Sequence, residues 1–182
     1  MVCAGYTHGM QGTHVGFVIR RARSDDAHEV VGLMRGIYAE DRYFVGDGPP
    51  YAQALGRRIA GDDPDYTLYL VADGDGAGRR AVAGWLELHR MQPRRLRHVA
   101  VLTVAVAPGW RRQGVGRDLL RRGYAWARQV GVRKISLNVR SGNAGAIALY
   151  ESEGFVLEGR EREQVGIGEG SFEDNLIMAR FV

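Results

Sequence analysis

Residues 99–116 read VAVLTVAV, then APGW, then RRQGVG. The first run, Val99–Val106, is apolar except for Thr103. That pattern predicts a strand covered on both faces, near the middle of a sheet. Pro108-Gly109 stops it. Arg111-Arg112-Gln113-Gly114-Val115-Gly116 then opens a helix predicted to run from Gly114 to Val130, with Gly131 as its stop. Amides at a helix N-terminus lack partners and sit at the positive end of the helix dipole. Glycines let a phosphate approach that backbone with no Cβ in the way, and neighbouring guanidinium forks add charge. The segment suits a pyrophosphate, and taken alone it equally suits a plain turn with exposed arginines. A P-loop needs Gly-Lys-Ser/Thr, which is missing, and a dinucleotide fingerprint needs a third glycine where Leu119 stands.

Downstream, Ile135–Val139 reads as another strand. Asn143 caps a helix that runs to Glu153 and is closed by Gly154. Phe155–Glu163 and Phe172–Phe181 read as two last strands around Gly166, Gly168 and Gly170. Upstream, residues 15–20 form a first strand. Ser24 caps a helix with Val30, Val31, Leu33, Met34, Ile37 and Tyr38 at helical spacing. Asp47-Gly48-Pro49-Pro50 breaks the chain, and Tyr51, Leu55 and Ile59 mark a short helix ending near Gly61. Tyr66–Ala72 and Ala81–His89 form a hairpin about a Gly- and Asp-rich turn at residues 73–78. Strands and helices alternate in the centre, with hairpins on the flanks. This predicts an α/β (α+β) fold with a mixed central sheet of about seven strands and about four helices. A single domain over 15–182 follows a flexible tail, 1–14.

The chain has 182 residues, 45% hydrophobic and 25% charged, enough for one core and not a disordered composition. No apolar run approaches the ~20 residues of a membrane span. Met1–Gly16 lacks the basic-then-apolar pattern of a secretory signal, and the single cysteine, Cys3, has no internal disulfide partner. A soluble cytoplasmic protein is expected. The net charge is +4, carried almost wholly by arginine, since Lys134 is the only lysine. Arginines crowd residues 90–122, and acidic residues dominate 151–174. Such a centre suits an anionic partner, either nucleic acid or a phosphorylated cofactor. The nucleic-acid reading lacks interleaved exposed aromatics and a recognisable motif. The five histidines have no metal-site spacing, so no metal is expected.

Two motifs in order carry a family resemblance. Arg111-x-x-Gly114-x-Gly116 after a hydrophobic strand resembles the acetyl-CoA signature of the GNAT acetyltransferase superfamily. Asn143-x-x-Ala146-x-x-Leu149-Tyr150-x-x-x-Gly154-Phe155 resembles that superfamily's next strand-to-helix segment, at the right distance. The likeness covers about 81–182, and the ending Asp174–Arg180 is similar to bacterial members acting on small amines, free amino acids included. The resemblance implies that acetyl-CoA lies where two parallel strands splay apart, here Val99–Val106 and Ile135–Val139. It implies contacts from Val104, Ala105 and Val106 to the pantetheine arm, and from Arg111, Arg112, Gln113, Gly114, Val115, Gly116 and Arg117 to the pyrophosphate. Asn143 and Ala146 would lie near the thioester.

In that setting Tyr150, two helical turns after Asn143, is the candidate acid for the leaving thiolate; outside it, Tyr150 would be a packing residue. Trp85, Glu87 and His89 alternate onto one strand face, opposite Leu86 and Leu88. Glu87 is the first candidate base, its pKa lifted by desolvation; otherwise it is a carboxylate paired with an arginine. His98 is a weaker candidate. The expected reaction is acetyl transfer to a primary amine of a small molecule such as an amino acid, by direct attack. The alternatives are a protein N-terminal or lysine acetyltransferase, and a non-catalytic acyl-CoA-binding domain. The acidic residues near the end, Glu161, Glu163, Glu169, Glu173 and Asp174, are expected to attract a cationic acceptor. Neither nucleic acid nor membrane is an expected partner, and a homodimer is left open.

Overall fold

The computed structural model describes residues 16–76 and 79–182. The expected tail, 1–14, lies outside the described residues, as does Cys3. Among the described residues the order is β1 (Phe17–Arg21), α1 (Ala27–Ala39), α2 (Ala52–Ala60), β2 (Thr67–Gly76), β3 (Arg79–Arg90) and β4 (Val99–Val106). Then come α3 (Val115–Gln129), β5 (Lys134–Arg140), α4 (Ala144–Ser152), β6 (Val156–Gly166) and β7 (Phe172–Phe181). The seven strands form one sheet, β1-β2-β3-β4-β5-β7-β6, with β4 central as predicted. Only β4 and β5 are parallel neighbours; every other pair is antiparallel.

Period-two alternation along β2 and β3 divides the core into two layers. Leu68, Leu70, Leu86 and Leu88 pack against Leu119, Leu120 and Tyr124 of α3. Tyr69, Val71 and Trp85 face the other way, onto Val30, Met34 and Leu55 of α1 and α2. Each fully buried leucine contributes about 1.5–3 kcal/mol to folding. Helix α3 can approach the sheet closely because Gly84 has no side chain. A Cβ there would stand 2.8 Å from Val115 Cγ1 and 2.9 Å from Leu119 Cδ1.

Three local expectations change. The Ser24 cap gives way to a one-turn 3-10 segment, Ser24–Asp26, with Asp26 at the N-cap position of α1. The Asp26 carboxylate accepts the Arg23 amide at 2.6 Å and the Arg20 guanidinium at 2.7 Å. A charge-assisted pair of this kind outweighs a hydroxyl cap. The predicted turn at 73–78 is shorter, since β2 continues to Gly76; Asp73 is paired with Val18 on one side and Val82 on the other. Finally, β4 is not covered on both faces throughout. Val101 is 39% exposed, because α1 and α2 roof only the β2–β3 side of that face.

Candidate active site

Strands β4 and β5 pair only over Val99–Val101 and Lys134–Ser136, although β4 runs on to Val106 and β5 to Arg140. Beyond that point β4 stays bound to β3, as far as Gly84↔Val106, and β5 stays bound to β7, as far as Arg140↔Asn175. Each strand follows its outer neighbour, and sheet twist carries the two apart. Val99 O accepts the Met91 amide and Ala107 N–H donates to Ala83 O, both at 2.9 Å, so odd-numbered residues of β4 bond toward β3. Alternation then turns the backbone groups of Val104 and Val106 into the gap. Ala105 faces β3, and its side chain is buried in the α1–α2 layer.

The glycine-rich turn closes one end of this gap. Gly114 sits at the N-cap of α3 with φ 89°, a left-handed conformation that favours glycine, and nothing lies within 4 Å of where its Cβ would be. A Cβ on Gly116 would stand 3.0 Å from Leu149 of α4 and 3.6 Å from Val106, so β4, α3 and α4 converge at this point. The Asp118 amide donates to Gly114 O at 3.0 Å, which leaves the amides of Val115, Gly116 and Arg117 ahead of the helical ladder. Gln113 Nε2 fastens the turn to Gly109 O at 2.8 Å. Arg112 is exposed, with φ 62°, and makes no ion pair among the described residues. Open space at Gly114, unladdered amides and Arg112 fit a phosphate.

The other arginines of the motif are engaged elsewhere. Arg117 Nε donates to Glu153 at 2.9 Å, so its side chain ties α3 to α4. The Arg111 guanidinium forks onto both oxygens of Glu40, at 2.8 and 2.5 Å, lies 4.9 Å from the Tyr43 ring centroid and bonds Val106 O through Nε at 3.2 Å. Its side chain therefore belongs to a strap. Arg140, at the end of β5, donates to Asp41 O at 3.0 Å and to Glu173 at 2.8 Å. Adjacent residues Glu40 and Asp41 are thus tied to the ends of both splayed strands, and the segment after α1 spans the mouth of the gap.

Asn143 caps α4 as predicted, accepting the Ala146 amide at 3.2 Å, while Ala146 is half-buried against the α3-side core. Tyr150 is buried, with its ring 5.5 Å from Phe155. Burial, and secondarily the neighbouring Tyr124, push its phenol above the ordinary tyrosine range. The shift favours the protonated phenol.

Glu87 is nearly buried and is paired with an arginine, Arg58, at 2.6 Å; it also contacts His89 Nε2. The expectation of a raised pKa is reversed. Burial pushes the carboxyl up, but the His89 hydrogen bond and the charges of His89 and Arg58 outweigh it and hold Glu87 below the usual range. His98 is exposed at the paired end of β4, away from the gap. Three of the five acidic residues at the end are committed to internal partners. Glu173 holds Arg140 and accepts the Gly142 amide, Asp174 holds Arg160 and the Glu163 amide, and Glu161 accepts from Asn175 at 2.6 Å. Sequence reasoning missed Arg58, Glu40 and Arg140 as partners. Their contacts link residues 29, 71 and 99 positions apart, for which no local pattern exists.

Residues 33–155 match the model of the acetyltransferase (GNAT) family, and the chain belongs to that family. It is 40% identical over 84 residues to the ribosomal protein bS18-alanine N-acetyltransferase of Escherichia coli, covering 46% of this chain and 56% of that one. The chain thus spans about half the length of that relative. It is 34% identical over 178 residues to streptothricin acetyltransferase of Streptomyces lavendulae, covering 84% of this chain and 86% of that one. Among solved structures, a GNAT-family acetyltransferase from Streptococcus pneumoniae superimposes with a TM-score of 0.80 at 28% identity, over 91% of this chain and 99% of that one. Among the described residues no helix is long and apolar enough to cross a membrane.

Proposed function

We propose that the chain transfers the acetyl group of acetyl-CoA to the primary amine of a small molecule, within the single domain over 15–182. The observation that carries this reading is the early end of β4–β5 pairing beside a glycine-opened helix start. The gap exposes unpaired strand amides at Val104 and Val106, and α3 supplies amides and charge for phosphates. In this reading Asn143 and Ala146 line the gap where the thioester arrives. An amide of the splayed strand stabilises the oxyanion as the amine attacks. The N–C bond forms, the C–S bond breaks, Tyr150 gives its proton to the departing sulfur, and the proton shed by the acylated nitrogen restores the phenol.

The small-molecule acceptor is favoured by the relative named for streptothricin, whose likeness extends over 84% of the chain. A protein N-terminal alanine is the second reading, favoured by the shorter likeness to the bS18-alanine enzyme. CoA release, followed with a thiol reagent, over a panel of amino acids, aminoglycosides, polyamines and alanine-ended peptides tests both. Turnover confined to the peptides would replace the first reading with the second. No release with any amine, together with tight acetyl-CoA binding, would leave a binding domain.

A further inference from the structure

From Leu88 to Arg117 the chain carries seven arginines and no aspartate or glutamate. Strand β4 divides them. Arg111, Arg112 and Arg117 stand at the end of β4 that leads into α3, while Arg90, Arg94, Arg95 and Arg97 stand at the other end, in the connection from β3 to β4. A strand of this length, at about 3.3 Å per residue, puts the two groups about 23 Å apart. Phosphates held at the α3 turn do not reach the second group.

The two groups also differ in their partners. Arg111 is ion-paired with Glu40 and Arg117 with Glu153. Among the described residues Arg90, Arg94, Arg95 and Arg97 form no ion pair. Arg94, Arg95, Arg97 and His98 are exposed. Arg133, exposed on the turn before β5, joins them, because its amide donates to His98 O at 2.8 Å. Asp63 and Asp65 lie near Tyr66 in the chain, but Asp63 Oδ1 accepts the Asp65 amide at 3.0 Å, and neither pairs with these arginines among the described residues.

The connection is fixed in place. Arg94–Leu96 is a 3-10 turn entered from Pro93, and the Leu96 amide donates to Pro93 O at 2.8 Å. Arg90 Nε donates to Arg97 O at 2.6 Å. The guanidinium groups of Arg90 and Arg97 lie over the ring of Tyr66, 5.5 and 5.8 Å from its centroid. The aromatic missing from the sequence pattern around these arginines is thus brought in from the turn before β2.

A set of fixed guanidinium groups with no carboxylate partner calls for a polyanion. A protein partner calls for an apolar centre inside a polar rim, and Leu96, 41% exposed, is the one large exposed apolar side chain of this connection. Guanidinium forks match phosphate oxygens, and guanidinium planes and aromatic rings are surfaces on which unpaired bases stack. We infer that the β3–β4 connection, with Tyr66, His98 and Arg133, is a docking surface for single-stranded nucleic acid, separate from the turn that opens α3. No step of the acetyl transfer passes through this surface, so the inference stands or falls independently of that reading.

The test is fluorescence anisotropy of a labelled single-stranded oligoribonucleotide with the full chain over a range of salt. Wild type is expected to bind at about 50 mM salt and to weaken as salt rises, each neutralised phosphate contributing about −0.7 to the slope of log K against log salt. Arg94→Ala/Arg95→Ala/Arg133→Ala is expected to bind at least tenfold more weakly, with a slope shallower by about 2. Its thermal midpoint and acetyl-CoA affinity are expected to match wild type, and saturating CoA is expected to leave the oligonucleotide bound. Absence of binding by wild type, wild-type affinity in the triple variant, or displacement of the oligonucleotide by CoA overturns the inference. Equal affinity for poly-glutamate also overturns it, and would make the surface one for an acidic protein instead.

Discussion

The two faces of the sheet are built on different principles. On the α3–α4 face, apolar side chains of β2, β3 and β5 meet apolar stripes of the helices, and three glycines set the approach: Gly84 beneath α3, Gly123 of α3 against Leu88, and Gly116 where α3 meets α4 and Val106. On the α1–α2 face the apolar layer stops at Trp85 and Ala105. Beyond it the structure is held by charge pairs between distant segments: Arg58 with Glu87, Arg111 with Glu40, Arg140 with Glu173. The first face holds the glycine-opened turn and the buried tyrosine; the second holds the strap and the Glu87–His89 contact. A cofactor common to a family calls for rigid backbone geometry. A variable acceptor is met by side chains that can be exchanged one at a time.

The largest expected effect probes the apolar face. Tyr150→Phe keeps the ring, so packing and acetyl-CoA affinity persist, while single-turnover rates fall about 10²–10⁴-fold. Because burial lifts the Tyr150 phenol above its ordinary range, wild-type rates should show no alkaline fall attributable to it below pH 10. Wild-type single-turnover rates in the variant would reduce Tyr150 to packing.

A smaller effect is expected at the turn. Gly114→Asp puts a carboxylate into the open space before the α3 amides, and acetyl-CoA affinity should drop tenfold or more, about 1.4 kcal/mol per decade. Thermal denaturation without ligand serves as the control, since the left-handed φ at this position makes any side chain a strain. Unchanged affinity would move the pyrophosphate elsewhere.

The smallest effect belongs to the charge-paired face. Glu173 is held below the usual carboxylate range: burial raises it, but the Gly142 amide, Arg140 and Ser141 lower it further. A depressed folded-state pKa contributes stability above the unfolded value, near 4.3, that is lost as pH falls through the folded value. Glu173→Gln should therefore lower stability by about 1–2 kcal/mol at pH 7. The gap between variant and wild type should close below the ordinary carboxylate range. A pH-independent difference would mean that the charge of Glu173 does not hold Arg140 and the 141–143 loop.

The same contrast explains what could be read from sequence. The strand Val99–Val106 matches to the residue, and α3 and α4 to within a residue or two, because hydrophobic period, glycine stops and the Asn143 cap are local signals. The glycine that opens α3, Gly114, was legible for the same reason. The strap was not, since Glu40 carries no mark of the Arg111 that binds it 71 residues on. For Glu87, alternation gave its face, but the sign of its pKa shift depends on Arg58 and His89 together. The acidic residues at the end looked like an acceptor field, yet Glu161, Glu173 and Asp174 satisfy partners within the fold. Composition counts charges and does not say which are already neutralised.

The central claim is that acetyl-CoA seats between the diverging halves of β4 and β5 with its phosphates on the α3 N-terminus. Amide hydrogen exchange followed residue by residue, with and without saturating acetyl-CoA, tests it most directly. Val104 and Val106 direct their amides into the gap, outside the β3 ladder, and should exchange fast in the free protein and slow markedly on binding. Residues 114–117 should slow with them, while β1 and β2 change little. A groove of about 520 Å³ between α1 and the β3–β4 side, lined by Leu33, Gly36, Val82 and Pro108, offers the contrasting outcome. Protection around that groove, with Val104 and Val106 unchanged, would contradict the account.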